Sequence, residues 1–155
     1  MKKILFDDHS IKKNVYHEKS DMFLHTRQKF YLENIWDIDI SNTSYFIREI
    51  KKKLQSYKSQ DKRSHKYDEA KHITLEELID KLKKSELTCY YCNSNIYLIY
   101  KEKRNPLQWS LERFDNNIGH YANNTCISCL KCNLQRRTSN HEYFKYSKNL
   151  IITKT

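Results

Sequence analysis

Cys89-Tyr-Tyr-Cys92 and Cys129-Leu-Lys-Cys132 stand on either side of Trp109-Ser-Leu-Glu-Arg-Phe-Asp115, and the second pair runs directly into Asn133. Two Cys-x-x-Cys pairs joined by a hairpin-length connection can converge on one tetrahedral site. Four thiolates there suit zinc, and binding the ion helps to fold the chain around it. Cys89, Cys92, Cys129 and Cys132 are therefore the expected zinc ligands. Glu112 and Asn133 offer a different chemistry. A carboxylate and an amide oxygen are hard donors, better matched to magnesium than to a soft thiolate site.

Working outward, the apolar run at 96–100 suits a short strand, followed by a polar loop at 101–105 that ends at Pro106. Trp109, Leu111 and Arg113 alternate with Ser110, Glu112 and Phe114, which predicts a strand. Gly119, the only glycine, sits in the turn sequence Asn116-Asn-Ile-Gly-His120. A second strand is expected at 125–128. A helix then starts at Cys129 and carries Asn133 and the basic run Gln135-Arg-Arg137. Tyr143, Phe144 and Tyr146 predict a closing helix.

Upstream, Met22, Phe23, Phe30 and Tyr31 fit a helix over 20–34. Ile47, Ile50, Leu54 and Tyr57 recur at helical spacing, with Lys51, Lys52, Lys53 and Lys58 on other faces. Residues 60–72 read as a charged connection. Thr74 and Glu77 form a capping box for another helix, whose buried stripe is Leu75, Leu78, Ile79 and Leu82. The chain therefore divides into a basic helical leader, 1–86, and a zinc-containing module, 87–155.

Hydrophobic residues make up 38% of the 155 and charged residues 31%. That balance argues against a large independent apolar core and gives a zinc staple more to do. With 29 Lys and Arg against 19 Asp and Glu, the formal charge is +10. Such an excess favours a polyanionic partner, with DNA first and RNA second, although a merely soluble basic protein has the same composition. Five cysteines leave Cys126 outside the two pairs, as a buried strand thiol. No run is long enough to span a membrane, and Met1-Lys-Lys-Ile-Leu-Phe-Asp-Asp8 turns acidic too soon for a signal peptide. An intracellular, reducing compartment is expected, nuclear or cytoplasmic, where paired cysteines mean metal more often than disulfide.

Strand, turn, strand and helix, with a cysteine pair entering the helix, resembles the HNH endonucleases of the ββα-metal superfamily. The matching text is Leu111-Glu-Arg-Phe-Asp115, Gly119-His-Tyr-Ala-Asn-Asn124 and Cys129-Leu-Lys-Cys-Asn133, within a resemblance that covers roughly 87–140. More narrowly it resembles a variant with a Ser-Leu-(Asp/Glu)-Arg-(Ile/Phe)-Asp-Asn signature in phages and large DNA viruses, which adds a virus-infected host cell to the compartments. The resemblance implies an α+β fold, a zinc-stapled ββα-metal module behind the basic leader, and metal-dependent hydrolysis of DNA. Glu112 and Asn133 would hold magnesium, and Asn124 would tie the connecting loop to the backbone. Arg113 stands where the family has its general-base histidine, and arginine cannot take a proton from water. His120 can supply the base instead, a metal-bound water can react without one, or the module binds DNA without cutting it. Arg136 and Arg137 are expected to contact phosphates, helped by Lys51-Lys-Lys53 and Lys62-Arg63. His141 is either an extra ligand or a surface histidine. A silent zinc module that binds DNA or RNA, and a protein-interaction adaptor, are the competing functions.

Overall fold

The capping box at Thr74 and Glu77 is complete: the Glu77 N–H donates to Thr74 Oγ1 at 3.2 Å and the Thr74 N–H to Glu77 Oε2 at 2.9 Å. It opens a helix at Leu75–Lys84 in the computed structural model, which describes residues 20–154. The acidic start at 1–8, on which the signal-peptide expectation rests, lies outside the described residues. In chain order the elements are α1 (His25–Glu33), α2 (Thr43–Arg63), α3 (Leu75–Lys84), β1 (Trp109–Arg113), β2 (Thr125–Cys129), α4 (Leu130–Arg136) and α5 (His141–Asn149). Short 3-10 turns occupy Ser20–Phe23 and Ala122–Asn124. The described chain is thus mixed α and β, with five α-helices and one two-stranded antiparallel sheet. None of the helices is long and apolar enough to cross a membrane.

The two strands pair with Trp109 opposite Cys129, Leu111 opposite Ile127 and Arg113 opposite Thr125. Alternation would leave one face wet in an isolated hairpin. Here Trp109, Ser110, Leu111 and Glu112 are all buried, because α4 packs against both strands and α3 against β2. Glu112 is therefore not part of a solvated face. The core is larger than the composition suggests. One apolar cluster includes Leu32, Phe46 and Ile50 of the leader, Leu78 and Leu82 of α3, and Trp109 of β1. Amphipathic helices concentrate a modest apolar content onto facing stripes, which bulk percentages cannot register.

Two local expectations are corrected. Helix α2 runs on to Arg63, so the charged connection starts after residue 63 rather than at 60. The segment 96–100 is not a strand. Its backbone groups find other partners: Gln28 of α1, fully buried, accepts from the Leu98 N–H at 2.6 Å and the Ile99 N–H at 3.2 Å. Its amide also donates to the Ile99 carbonyl at 3.0 Å. A side chain therefore does what a neighbouring strand would have done, and it sews the leader to the module. Gln28→Leu should strand these three backbone groups and cost about 3 kcal/mol. Urea unfolding of the two proteins measures the difference, and equal midpoints would refute the clamp.

Candidate functional site

The first knuckle turns through Asn93, whose φ of 58° is left-handed, with the Asn93 N–H donating to the Cys89 carbonyl at 3.0 Å. Backbone amides approach the sulfurs: Tyr91 N–H to Cys89 Sγ at 3.4 Å and Cys132 N–H to Cys129 Sγ at 3.3 Å. Cys129 ends β2 and caps α4, so the hairpin delivers the second pair to the first. The Tyr90 N–H bonds the Ile127 carbonyl at 2.9 Å and fixes the knuckle against β2. All four sulfurs lie within 4.8 Å of one another, and Cys92 Sγ is 3.9 Å from Cys129 Sγ.

That spacing suits a tetrahedral ion such as zinc, whose bonds of about 2.3 Å place sulfurs about 3.8 Å apart. It is far too long for a disulfide, and all five cysteines are free. The Cys129 thiol hydrogen-bonds Cys89 and draws it down to about 5, while Cys129 itself is pushed up. Burial raises Cys132 to about 12. Four thiolates thus need a positive ion among them. Cys126 stays outside the cluster, buried in β2. Tyr91 covers the knuckle, its ring 4.9 Å from Phe144 of α5.

Beside the sheet lies a cleft of about 270 Å³ whose walls include Tyr57, Glu112, Arg113, His120, Asn133 and Arg137. Strand β1 supplies Glu112 and Arg113, the turn supplies His120, and α4 supplies Asn133. The Asn133 amide nitrogen donates to Ser110 Oγ at 3.2 Å, which leaves its carbonyl oxygen uncommitted there. Glu112 is ion-paired with Arg136, and burial raises its carboxyl against that pairing. Asn124 is buried beside the turn that carries His120. Its amide donates to the Asp115 and Gly119 carbonyls at 2.9 and 3.1 Å, and its oxygen accepts from the Asp115 N–H at 3.0 Å. Among the described residues, only the four cysteines form a cluster of three or more metal-binding acids, thiols or imidazoles.

Two basic residues are not where the sequence reading put them. Arg136 is buried, donating to Glu112 and to the carbonyls of Arg113, Phe114 and Ser139. It holds β1 to α4 and has no free face for a phosphate, whereas Arg137 is exposed at the rim. Lys53 turns inward, its amine on the Trp109 carbonyl and 3.0 Å from Gln108 Oε1, and burial lowers it to about 7. Lys51, Lys52, Lys62 and Arg63 remain exposed on α2. His141 opens α5 and packs its ring 4.4 Å from Phe114.

Sequence reasoning missed Asp61, a fully buried carboxylate of α2 that meets His120 at 2.7 Å. The signal was present. Ile47, Ile50, Leu54, Tyr57 and Asp61 continue one 3-4-3-4 stripe, so the acid falls on the buried face of its helix and needs a partner.

Metal analysis of protein purified without added zinc should find about one equivalent, and strong chelators should unfold it. Metal-free protein with the same melting curve would exclude a structural ion. Burial is also the main force lowering His120, to about 4, and His72. Both folded-state values lie below the unfolded 6.5 or so, so the unfolded chain binds more protons as the solution acidifies. Their contribution to stability is full above about pH 6.5 and is lost as pH falls towards 4, with His120 contributing up to about 3 kcal/mol. An NMR titration should find the His120 imidazole neutral at pH 6 and the His72 midpoint below the ordinary value, and an ordinary midpoint for His120 would contradict this. No protein-family model, curated protein or solved structure matches the chain.

Proposed function

We propose that the protein is a metal-dependent DNA endonuclease of the HNH type, with a zinc-stapled ββα-metal module. The observation that carries this reading is the shared cleft: Glu112, Arg113 and Asn133, which stand at the family's site positions, line it together with His120, the alternative base. The order β1, loop, β2, α4, with the second cysteine pair entering α4, supports it as well.

Glu112 and Asn133 would hold a divalent cation such as magnesium, since a carboxylate and an amide oxygen are hard donors and Mg²⁺ keeps waters and phosphate oxygens in its other positions. When bound, the cation screens the scissile phosphate and stabilises the departing oxygen. Arg136 neutralises the buried Glu112 and fixes its orientation. His120, neutral through the neutral range, accepts a proton from the attacking water. Arg113 and Arg137 grip non-bridging phosphate oxygens and offset charge developing in the transition state. Exposed Lys51, Lys52, Lys62 and Arg63 on α2 supply non-specific contacts to the DNA backbone.

A second reading is a zinc-containing DNA- or RNA-binding module without activity. Two observations favour it: Arg113 cannot replace a histidine base, and the Arg136 ion pair already occupies one Glu112 oxygen.

Nicking of supercoiled plasmid separates the two. Wild-type protein should nick with magnesium and not with chelator, and Glu112→Gln and Asn133→Ala should abolish nicking with zinc and fold retained. Gln is chosen at 112 because truncation would leave the Arg136 charge buried and unpaired. Arg113→His should raise the rate, and His120→Ala should lower it about 100-fold or more. Arg137→Ala should weaken binding to all sequences alike and reduce the salt slope by about one, while Arg136→Ala should lower stability. Absence of cleavage with magnesium or manganese on any DNA form would replace the enzyme with the binding module.

A further inference from the structure

The leader grips the module at His120, where it holds both backbone polar groups of that residue. The His120 N–H donates to Asp61 Oδ2 at 2.6 Å, and its carbonyl accepts from the Ile73 N–H at 2.9 Å. The ring nitrogen Nδ1 lies 2.7 Å from Asp61 Oδ1. Residues 72 and 121 form an antiparallel bridge beside it, and Tyr121 donates its hydroxyl hydrogen to the Lys66 carbonyl at 3.0 Å. Gly119 permits the approach. A Cβ at that position would stand 2.5 Å from the Lys66 carbonyl oxygen and 2.8 Å from Asp61 Oδ2, so the sole glycine is required here by space.

Chemistry then fixes the imidazole. An ionised carboxylate only accepts, so Nδ1 must carry the hydrogen and Nε2 the lone pair. His120 lines the cleft, and its Nε2 makes no hydrogen bond among the described residues. The other groups facing the pair do not undo this arrangement. His72 Nδ1 lies 3.0 Å from the Ile73 carbonyl and must donate to it, so its Nε2 presents a lone pair towards Asp61 Oδ2, 3.7 Å away. Neutral His72 therefore gives Asp61 no hydrogen bond. Arg113 Nη1 sits 3.9 Å from Asp61 Oδ1 and balances its charge, and the Tyr57 ring packs 4.7 Å from the imidazole.

We propose that Asp61 is a positioning residue for the reaction: through Nδ1 it holds His120 in the tautomer that turns the Nε2 lone pair to the cleft. The helical leader is then part of the catalytic centre. The inference rests on the endonuclease reading above. In the step it serves, a water oxygen bonds phosphorus, the water proton passes to Nε2, the bridging P–O bond breaks, and the leaving oxygen takes a proton from solvent.

The test uses full-length, zinc-loaded protein and Asp61→Asn. The amide can still accept from the His120 N–H, but its NH₂ then faces Nδ1 and favours the opposite tautomer. Nitrogen-resolved NMR of wild-type His120 should report the Nδ1–H form, and the variant should report Nε2–H. Plasmid nicking by the variant should fall about 100-fold or more, with zinc content retained and plasmid affinity within about twofold of wild type, as expected of a lost base. A wild-type Nε2–H tautomer overturns the inference without any variant. So does a folded Asp61→Asn protein that nicks at the wild-type rate. If wild-type protein cuts no DNA with magnesium or manganese, the endonuclease reading fails and the catalytic role of Asp61 falls with it. The tautomer measurement would then still show whether Asp61 sets the ring.

Discussion

Four sulfurs drawn within 4.8 Å of one another tie together two well-separated stretches of the chain. The first pair sits on a knuckle after α3, and the second closes β2 and caps α4. Two five-residue strands have too little surface to be stable alone, and a seven-residue helix is shorter than an isolated helix can sustain. An ion at the thiolates changes that balance, because its binding energy becomes folding energy for the elements that carry the ligands. The position of Asn133 follows directly. It comes one residue after Cys132, on the first turns of α4, and faces the same cleft as Glu112 on β1. A metal held by the four thiolates would therefore act at a distance, stabilising the frame on which Glu112 and Asn133 stand.

Buried charge supplies the second level of order. Arg136 and Glu112 are both almost inaccessible, as are Asp61 and His120. Pairs of this kind contribute little net stability over a well-packed apolar substitute, yet they tolerate few alternative geometries. Arg136 satisfies Glu112 and also the carbonyls of Arg113 and Phe114, so it fixes both the end of β1 and the carboxylate on it. Asp61 does the same for the turn that carries His120. What these groups supply is orientation, because the residues they fix are those that line the cleft.

Legibility in the sequence followed the range of the interaction. The cysteine spacing, the Thr74–Glu77 box, the helical stripes and the two strands are local patterns, and they appear in the structure within a few residues. Contacts over long separations were not legible. Gln28 reads as an ordinary polar helix residue, yet it completes the backbone at 98 and 99, some seventy positions away. Arg136 and Arg137 look alike in a basic run, but successive helix positions differ by about 100°, so one is interred and the other exposed. Asp61 is the intermediate case. Its place on an apolar stripe marks it as buried, but no local rule names His120 as its partner.

Helix α2 shows why the basic leader and the cysteine-bearing module are hard to treat as separate units. Its 21 residues span roughly 30 Å. One side shows Lys51, Lys52, Lys62 and Arg63 to solvent, and the other feeds Phe46 and Ile50 to the core and Asp61 to His120. Lys53 marks the border, its amine withdrawn from solvent onto the start of β1. A rigid helix cannot move one of these faces without the other. If the exposed cations seat on a phosphate backbone, any shift of α2 is transmitted to Asp61 and so to the imidazole at the cleft. Binding and proton transfer would then be coupled through a single packed element, without a hinge or a separate signalling path.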